Sequence, residues 1–120
     1  MTIKQIVDVL STAIKLKGDL PAYFDFCMTI PDHVSSWRGD YSLPAIGWKY
    51  DPGAICTAKD LLAWLNYAIS GAEFTGWKGG QYRYNDDQEL MVDNYGEATF
   101  TRVRNITFDN LQITLHTEKR

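Results

Sequence analysis

The chain has 120 residues, 45% of them hydrophobic and 22% charged, with a formal net charge of −3, values that fit one soluble domain with one modest core. A net negative chain lacks the basic face of a general DNA binder, and no apolar run approaches the roughly 20 residues needed to span a bilayer. Cys27 and Cys56 match no metal-binding spacing and suit a reduced intracellular protein, and residues 1–17 carry no signal-peptide core.

In chain order, Thr2–Ile14 predicts an amphipathic helix. Thr2 and Gln5 form a capping box, Ile3, Ile6, Val7, Leu10 and Ile14 share one face, and Gly18 supplies a left-handed stop. Ala22–Ile30, rich in Tyr and Phe and closed by Pro31, reads as a strand; Ala45–Tyr50 reads as another, ahead of the turn Asp51-Pro52-Gly53. Thr57–Ile69 predicts a second helix, capped by Thr57 with Asp60, with Leu61, Leu62, Leu65, Ala68 and Ile69 on its apolar face and Gly71 past its end. Gln81–Tyr84 and Leu90–Tyr95 read as neighbouring strands around Asn85-Asp86-Asp87. Phe100–Phe108 and Leu111–Thr117 read as a hairpin across Asp109-Asn110, with Leu111, Ile113 and Leu115 turned inward and Glu118-Lys119-Arg120 fraying. The order helix, strands, helix, strands predicts a single α+β domain over 1–120, two amphipathic helices packed on a mainly antiparallel β-sheet.

Four Trp and seven Tyr exceed what a small core needs, so some are expected to line a pocket or an interface. Trp37-Arg38-Gly39-Asp40-Tyr41 and Trp77-Lys78-Gly79-Gly80-Gln81-Tyr82 each join a flat ring, a cation, glycine and tyrosine. Such a set can stack on a base and cradle an anion with its backbone N–H groups; it is equally a glycine turn between core aromatics. The two motifs recur after 40 residues and the two helices after 55, which excludes a clean tandem duplication. Arg102 and Arg104 share a strand face and could grip phosphates, or pair with Asp or Glu on an exposed face. His33 and His116 have no zinc spacing beside them, Cys27 suits a buried small side chain, and Asp86, Asp87, Glu89 and Asp93 suit a solvated turn better than a cation loop. No residue set calls for catalysis, a resident metal or a cofactor.

The segments 36–47 and 74–82, with the capped helix Thr57–Ile69 and Asn94-Tyr95-Gly96, resemble small phage and prophage proteins. The chain is similar to the first Thoeris anti-defence family, sponges that capture cyclic ADP-ribose signals and release them intact. The resemblance implies an α+β homo-oligomer in the cytoplasm of the infected bacterial host, with sites between protomers and some capacity for cyclic oligonucleotides. It also implies that Phe74 or Trp77 stacks on adenine, that Asn94 reads a polar edge, and that Arg102 and Arg104 hold phosphates. Trp37, Arg38, Tyr41 and Lys78 join the expected site on residue chemistry alone. The expected function is sequestration of a cyclic nucleotide signal without cleavage, with no DNA or membrane partner. The alternative is direct inhibition of another protein through exposed aromatics, and a third reading is a metal-assisted hydrolase built on Asp86–Asp93.

Overall fold

A computed structural model describes residues 1–26, 29–36, 43–75, 80–93 and 101–119. Cys27, Trp37, Arg38, Tyr41, Trp77, Lys78 and Asn94, all named above, lie outside the described residues.

Both helices start at their predicted caps. In α1 (Ile3–Lys17) the Thr2 hydroxyl accepts from the Gln5 N–H at 3.2 Å while the Gln5 side chain accepts from the Thr2 N–H at 2.9 Å. In α2 (Ala58–Ala68) Thr57 and Asp60 make the same exchange at 3.3 and 3.0 Å. Each box satisfies N–H groups that the first helical turn would otherwise leave unpaired. Gly18 closes α1 at φ +83°, its N–H donating to Ile14 O at 2.9 Å. α2 is capped at Ile69, and Gly71 takes φ +93° two residues further on.

The described residues form eight strands, three between the helices and five after α2: β1 (Ala22–Phe24), β2 (Ile30–Ser36), β3 (Pro44–Lys49), β4 (Phe74–Thr75), β5 (Gln81–Tyr82), β6 (Met91–Val92), β7 (Thr101–Phe108) and β8 (Ile113–Lys119). Six form one sheet in the order β1-β8-β7-β6-β3-β2, and β4 pairs β5 separately. β2–β3, β6–β7 and β7–β8 are antiparallel, whereas β1–β8 and β3–β6 are parallel. The fold is α+β, as the order of elements predicts.

One core lies between the helices and one face of the sheet. Ile3, Ile6, Leu10 and Ala13 from α1 and Ala58, Leu61 and Leu65 from α2 meet Ile46, Val92, Val103, Ile113 and Leu115 from the strands, all fully buried. The opposite face carries a smaller cluster of Ala45 and Met91 with Leu43 against it. The two edge strands of the sheet, β1 and β2, approach each other where Phe24 N–H donates to Thr29 O at 2.9 Å. Among the described residues no helix is long and apolar enough to cross a membrane.

Several local expectations are corrected. The segment 22–30 is not one strand: β1 ends at Phe24, and Pro31 sits inside β2, opposite Trp48. Proline is tolerated there because β2 is an edge strand with no second ladder to donate to. Gln81–Tyr84 and Leu90–Tyr95 are not neighbouring strands; β5 pairs β4, and β6 lies between β3 and β7. The turn between them instead receives α1, with Ile3 N–H donating to Gln88 O at 2.9 Å and Lys4 N–H to Asp86 O at 2.8 Å. Those carbonyls satisfy the first helical turn better than a hairpin could.

Leu111 does not face the core; it is 77% exposed. The Asp109 carboxylate accepts from the N–H groups of Leu111 and Gln112 at 2.7 and 2.9 Å, and this side-chain turn swings Leu111 outward. The same two bonds hold the Asp109 carboxyl below its ordinary value. Glu118 and Lys119 do not fray, because β8 pairs them with Arg102 and Thr101.

Candidate functional site

The site begins with the helical period of α2. Ala58, Leu61, Leu65 and Ala68 face the core, so Asp60, Trp64 and Tyr67, at i, i+4 and i+7, fall on a different face. Trp64 packs at the margin of the core, while Tyr67 is 63% exposed.

Strand β2 supplies the facing wall through a bulge. Asp32 pairs with Gly47 and Val34 with Ile46, leaving His33 as the extra residue, at φ +44°. A bulge re-aims a side chain, and here it brings the imidazole to 5.6 Å from the Trp64 ring, with planes tilted by 55°. Gly47 permits it, since a Cβ at that position would stand 2.7 Å from Asp32 O. The His33 Nε2 also lies 3.4 Å from the Asp32 carboxylate.

The β4–β5 hairpin closes the third side. Phe74 stacks on Tyr82 at 5.7 Å and 21°, meets Tyr67 edge-on at 6.2 Å, and touches Tyr84 at 5.3 Å. Tyr84 is buried and its hydroxyl donates to Ser35 O at 3.4 Å, tying the ring cluster to β2. Outside, Arg83 and Glu73 form an ion pair at 2.6 Å. His33, Val34, Trp64, Tyr67 and Phe74 thus line an open cleft of about 270 Å³. Such a cleft can hold a planar ring between aromatic faces, in offset or edge contact.

Of the nine sequence-predicted site residues, the described ones separate into two places. Phe74 lies in the cleft. Arg102 and Arg104 lie on β7, three strands from β2 in the sheet order, about 14 Å across at ordinary strand spacing. A bulge between Val103 and Asn105 leaves Arg104 beside Arg102, and both reach Glu118. The Arg102 guanidinium bonds Glu118 and, at 3.0 Å, Glu89; Arg104 Nε lies 3.8 Å from Glu118. A phosphate there would have to displace a carboxylate.

Hydrogen bonding from Arg102 holds the Glu118 carboxyl below its ordinary range. A depressed folded-state value adds stability above the unfolded value of about 4.3 and loses it as pH falls through the folded value. Glu118→Gln should therefore flatten the acid side of the stability profile below about pH 4, measured by urea unfolding at a series of pH values.

Trp64, Tyr67 and His33 are absent from the sequence-predicted site. For the two α2 rings a signal existed: large aromatics spaced i, i+3 away from the leucine stripe of a helix. For His33 there was none, because its bulge depends on the approach of β3 at Gly47.

The remaining reactive groups do not converge. Cys56 is buried, and burial, followed by Asp60 and Asp32, pushes its thiol up to about 12, so it is protonated at neutral pH. Burial also raises Asp93. Among the described residues no three His, Cys, Asp or Glu side chains gather to hold a metal ion. A second hollow, of about 280 Å³, is lined by Tyr23, Ile30, Tyr50, Asp51, Pro52 and Ala54 and contains none of the predicted residues.

No family model matches the chain, and no curated protein or solved structure is significantly similar to it.

Proposed function

We propose that this protein binds and holds a nucleotide-type ligand without transforming it, stacking the base among Trp64, Tyr67, Phe74 and His33. The observation that carries the reading is the meeting of these four rings in one open cleft, since base–aromatic stacking needs only a π-face and contributes roughly 1–3 kcal/mol per stacked base. Phe74 is also one of the two residues, with Trp77, that the sequence resemblance nominates for adenine. The biological setting proposed from that resemblance is a phage anti-defence protein that sequesters a cyclic ADP-ribose-type immune signal in the host cytoplasm, as a homo-oligomer.

The test is retention. The protein is incubated with cyclic ADP-ribose, freed of unbound ligand, denatured by heat and its supernatant analysed by chromatography. Intact ligand in stoichiometric amount is the expected result; a cleaved product would overturn the non-catalytic reading, and an empty supernatant would overturn this ligand. The exposure of Tyr67 beside Trp64 favours one second reading, contact with another protein, because Trp and Tyr are common interface anchors.

A further inference from the structure

The second hollow shares no lining residue with the aromatic cleft, and its chemistry is of another kind. Three segments build it. Tyr23 stands between the buried Ala22 and Phe24 of β1 and, by strand alternation, turns outward. Ile30, buried at the start of β2, forms the floor. Tyr50, Asp51, Pro52 and Ala54 come from the connection between β3 and α2.

That connection is held by its own bonds. The Asp51 carboxylate accepts from the Gly53 N–H at 3.1 Å, and the Asp51 carbonyl accepts from the Ala54 N–H at 3.0 Å. This side-chain turn fixes the acid in the wall. Two residues further on, Cys56 O accepts from the Ala22 N–H at 2.8 Å and ties the connection to β1. The walls are set before a ligand arrives, which lowers the ordering cost of binding.

Among the described residues, Asp51 is the one charged side chain in the lining, and it makes no ion pair. Lys49 precedes Tyr50 in sequence but is exposed and lies outside the lining. Tyr50 is 68% exposed. Neither Tyr23 nor Tyr50 makes a side-chain hydrogen bond or a ring contact among the described residues, so both rings are free to receive a ligand.

We propose that this hollow binds a compact quaternary ammonium group carried by a small free molecule. The site is separate from the base-stacking cleft and stands or falls without it. An aromatic face attracts a cation through its quadrupole, and an unpaired carboxylate acts in the same direction. An anion would meet no basic side chain among the described lining residues. A primary ammonium or a guanidinium brings several N–H donors that need acceptors, and the lining offers few. A tetraalkylammonium has no donor to satisfy; its methyl groups carry the charge against the rings and fit the apolar surfaces of Ile30, Pro52 and Ala54.

The test is an NMR titration with choline and with its uncharged isostere, 3,3-dimethylbutan-1-ol. The expected result is a preference for choline of about tenfold or more. Nuclear Overhauser contacts should run from the N-methyl protons to the ring protons of Tyr23 and Tyr50. Asp51→Asn, which keeps the side-chain turn, should lower choline affinity severalfold and leave the isostere unchanged. Tyr50→Leu, at an exposed position, should also lower choline affinity severalfold. Absence of choline binding, equal binding of the two probes, or choline affinity unchanged in either variant would overturn the assignment. So would methyl contacts to the rings of Trp64 and Tyr67 in place of Tyr23 and Tyr50. Those contacts are read on the unsubstituted protein, so they decide the site even where a variant folds poorly.

Discussion

Gly47→Ala should destabilise the protein by about 1–3 kcal/mol, read as a lower urea midpoint with an unchanged slope. The methyl group would lie 2.7 Å from the backbone oxygen of Asp32, 3.7 Å from its carbonyl carbon and 3.9 Å from His33 O. Backbone atoms cannot rotate away as a side chain would, so β2 must lift off β3 or the bulge must flatten. Gly47 has no positive φ, which makes the effect steric and not conformational. Gly53→Ala is the matched control: its added Cβ would meet only the Asp51 side chain, at 3.6 Å, an ordinary contact. If both substitutions cost the same, the close approach of the two strands is not what fixes the bulge. Because the bulge carries His33, the first variant should also weaken ligand binding more than its stability loss explains.

Phe74→Ala should lower affinity for a bound base about 10- to 100-fold, the equivalent of roughly 1–3 kcal/mol of lost stacking. Phe74 belongs to the two-stranded β4–β5 sheet, outside the six-stranded one, and its ring contacts are to Tyr67, Tyr82 and Tyr84. Its removal therefore takes a wall from the cleft and leaves the main core of Ile3, Leu10, Leu61 and Leu65 untouched. Phe74→Leu keeps the bulk without the π-face and should fall between wild type and alanine. An affinity loss that tracks thermal stability across the two variants would mark Phe74 as a packing residue only.

Features encoded over short distances were legible. A capping box spans four residues, so Thr2 with Gln5 and Thr57 with Asp60 announce both helix starts, and the leucine spacing of α2 announces its buried face. The β7–β8 hairpin was legible for the same reason, apart from the Asp109 side-chain turn that exposes Leu111. Pairings between distant segments left no local mark. Ala45 and Ile46 run parallel to Met91 and Val92, and nothing near either segment indicates its partner. The site followed the same division. Phe74 was nominated through the resemblance of segment 74–82 and lines the cleft, whereas His33 enters it only through a strand that approaches from elsewhere. Arg102 and Arg104 meet at Glu118, the carboxylate pairing that stood as the alternative to a phosphate grip, and the carboxylates involved lie 13 and 16 residues away from Arg102 in sequence.

The parallel union of β1 with β8 has a consequence for how the molecule is made. β1 emerges early in synthesis, at residues 22–24, and has no hydrogen-bonding neighbour in the sheet until residues 113–115 have been translated. During that interval Phe24 N–H can already reach Thr29 O and Ala22 N–H can reach Cys56 O, but the side of β1 that will meet β8 waits unpaired, a period in which a chaperone or a misplaced strand could occupy it. Among the described residues the lining of the aromatic cleft, in contrast, comes from residues 33–74, with Tyr82 and Tyr84 backing Phe74. The ligand-facing part can therefore take shape once residue 84 has emerged, while the sheet behind it still waits for its last strand.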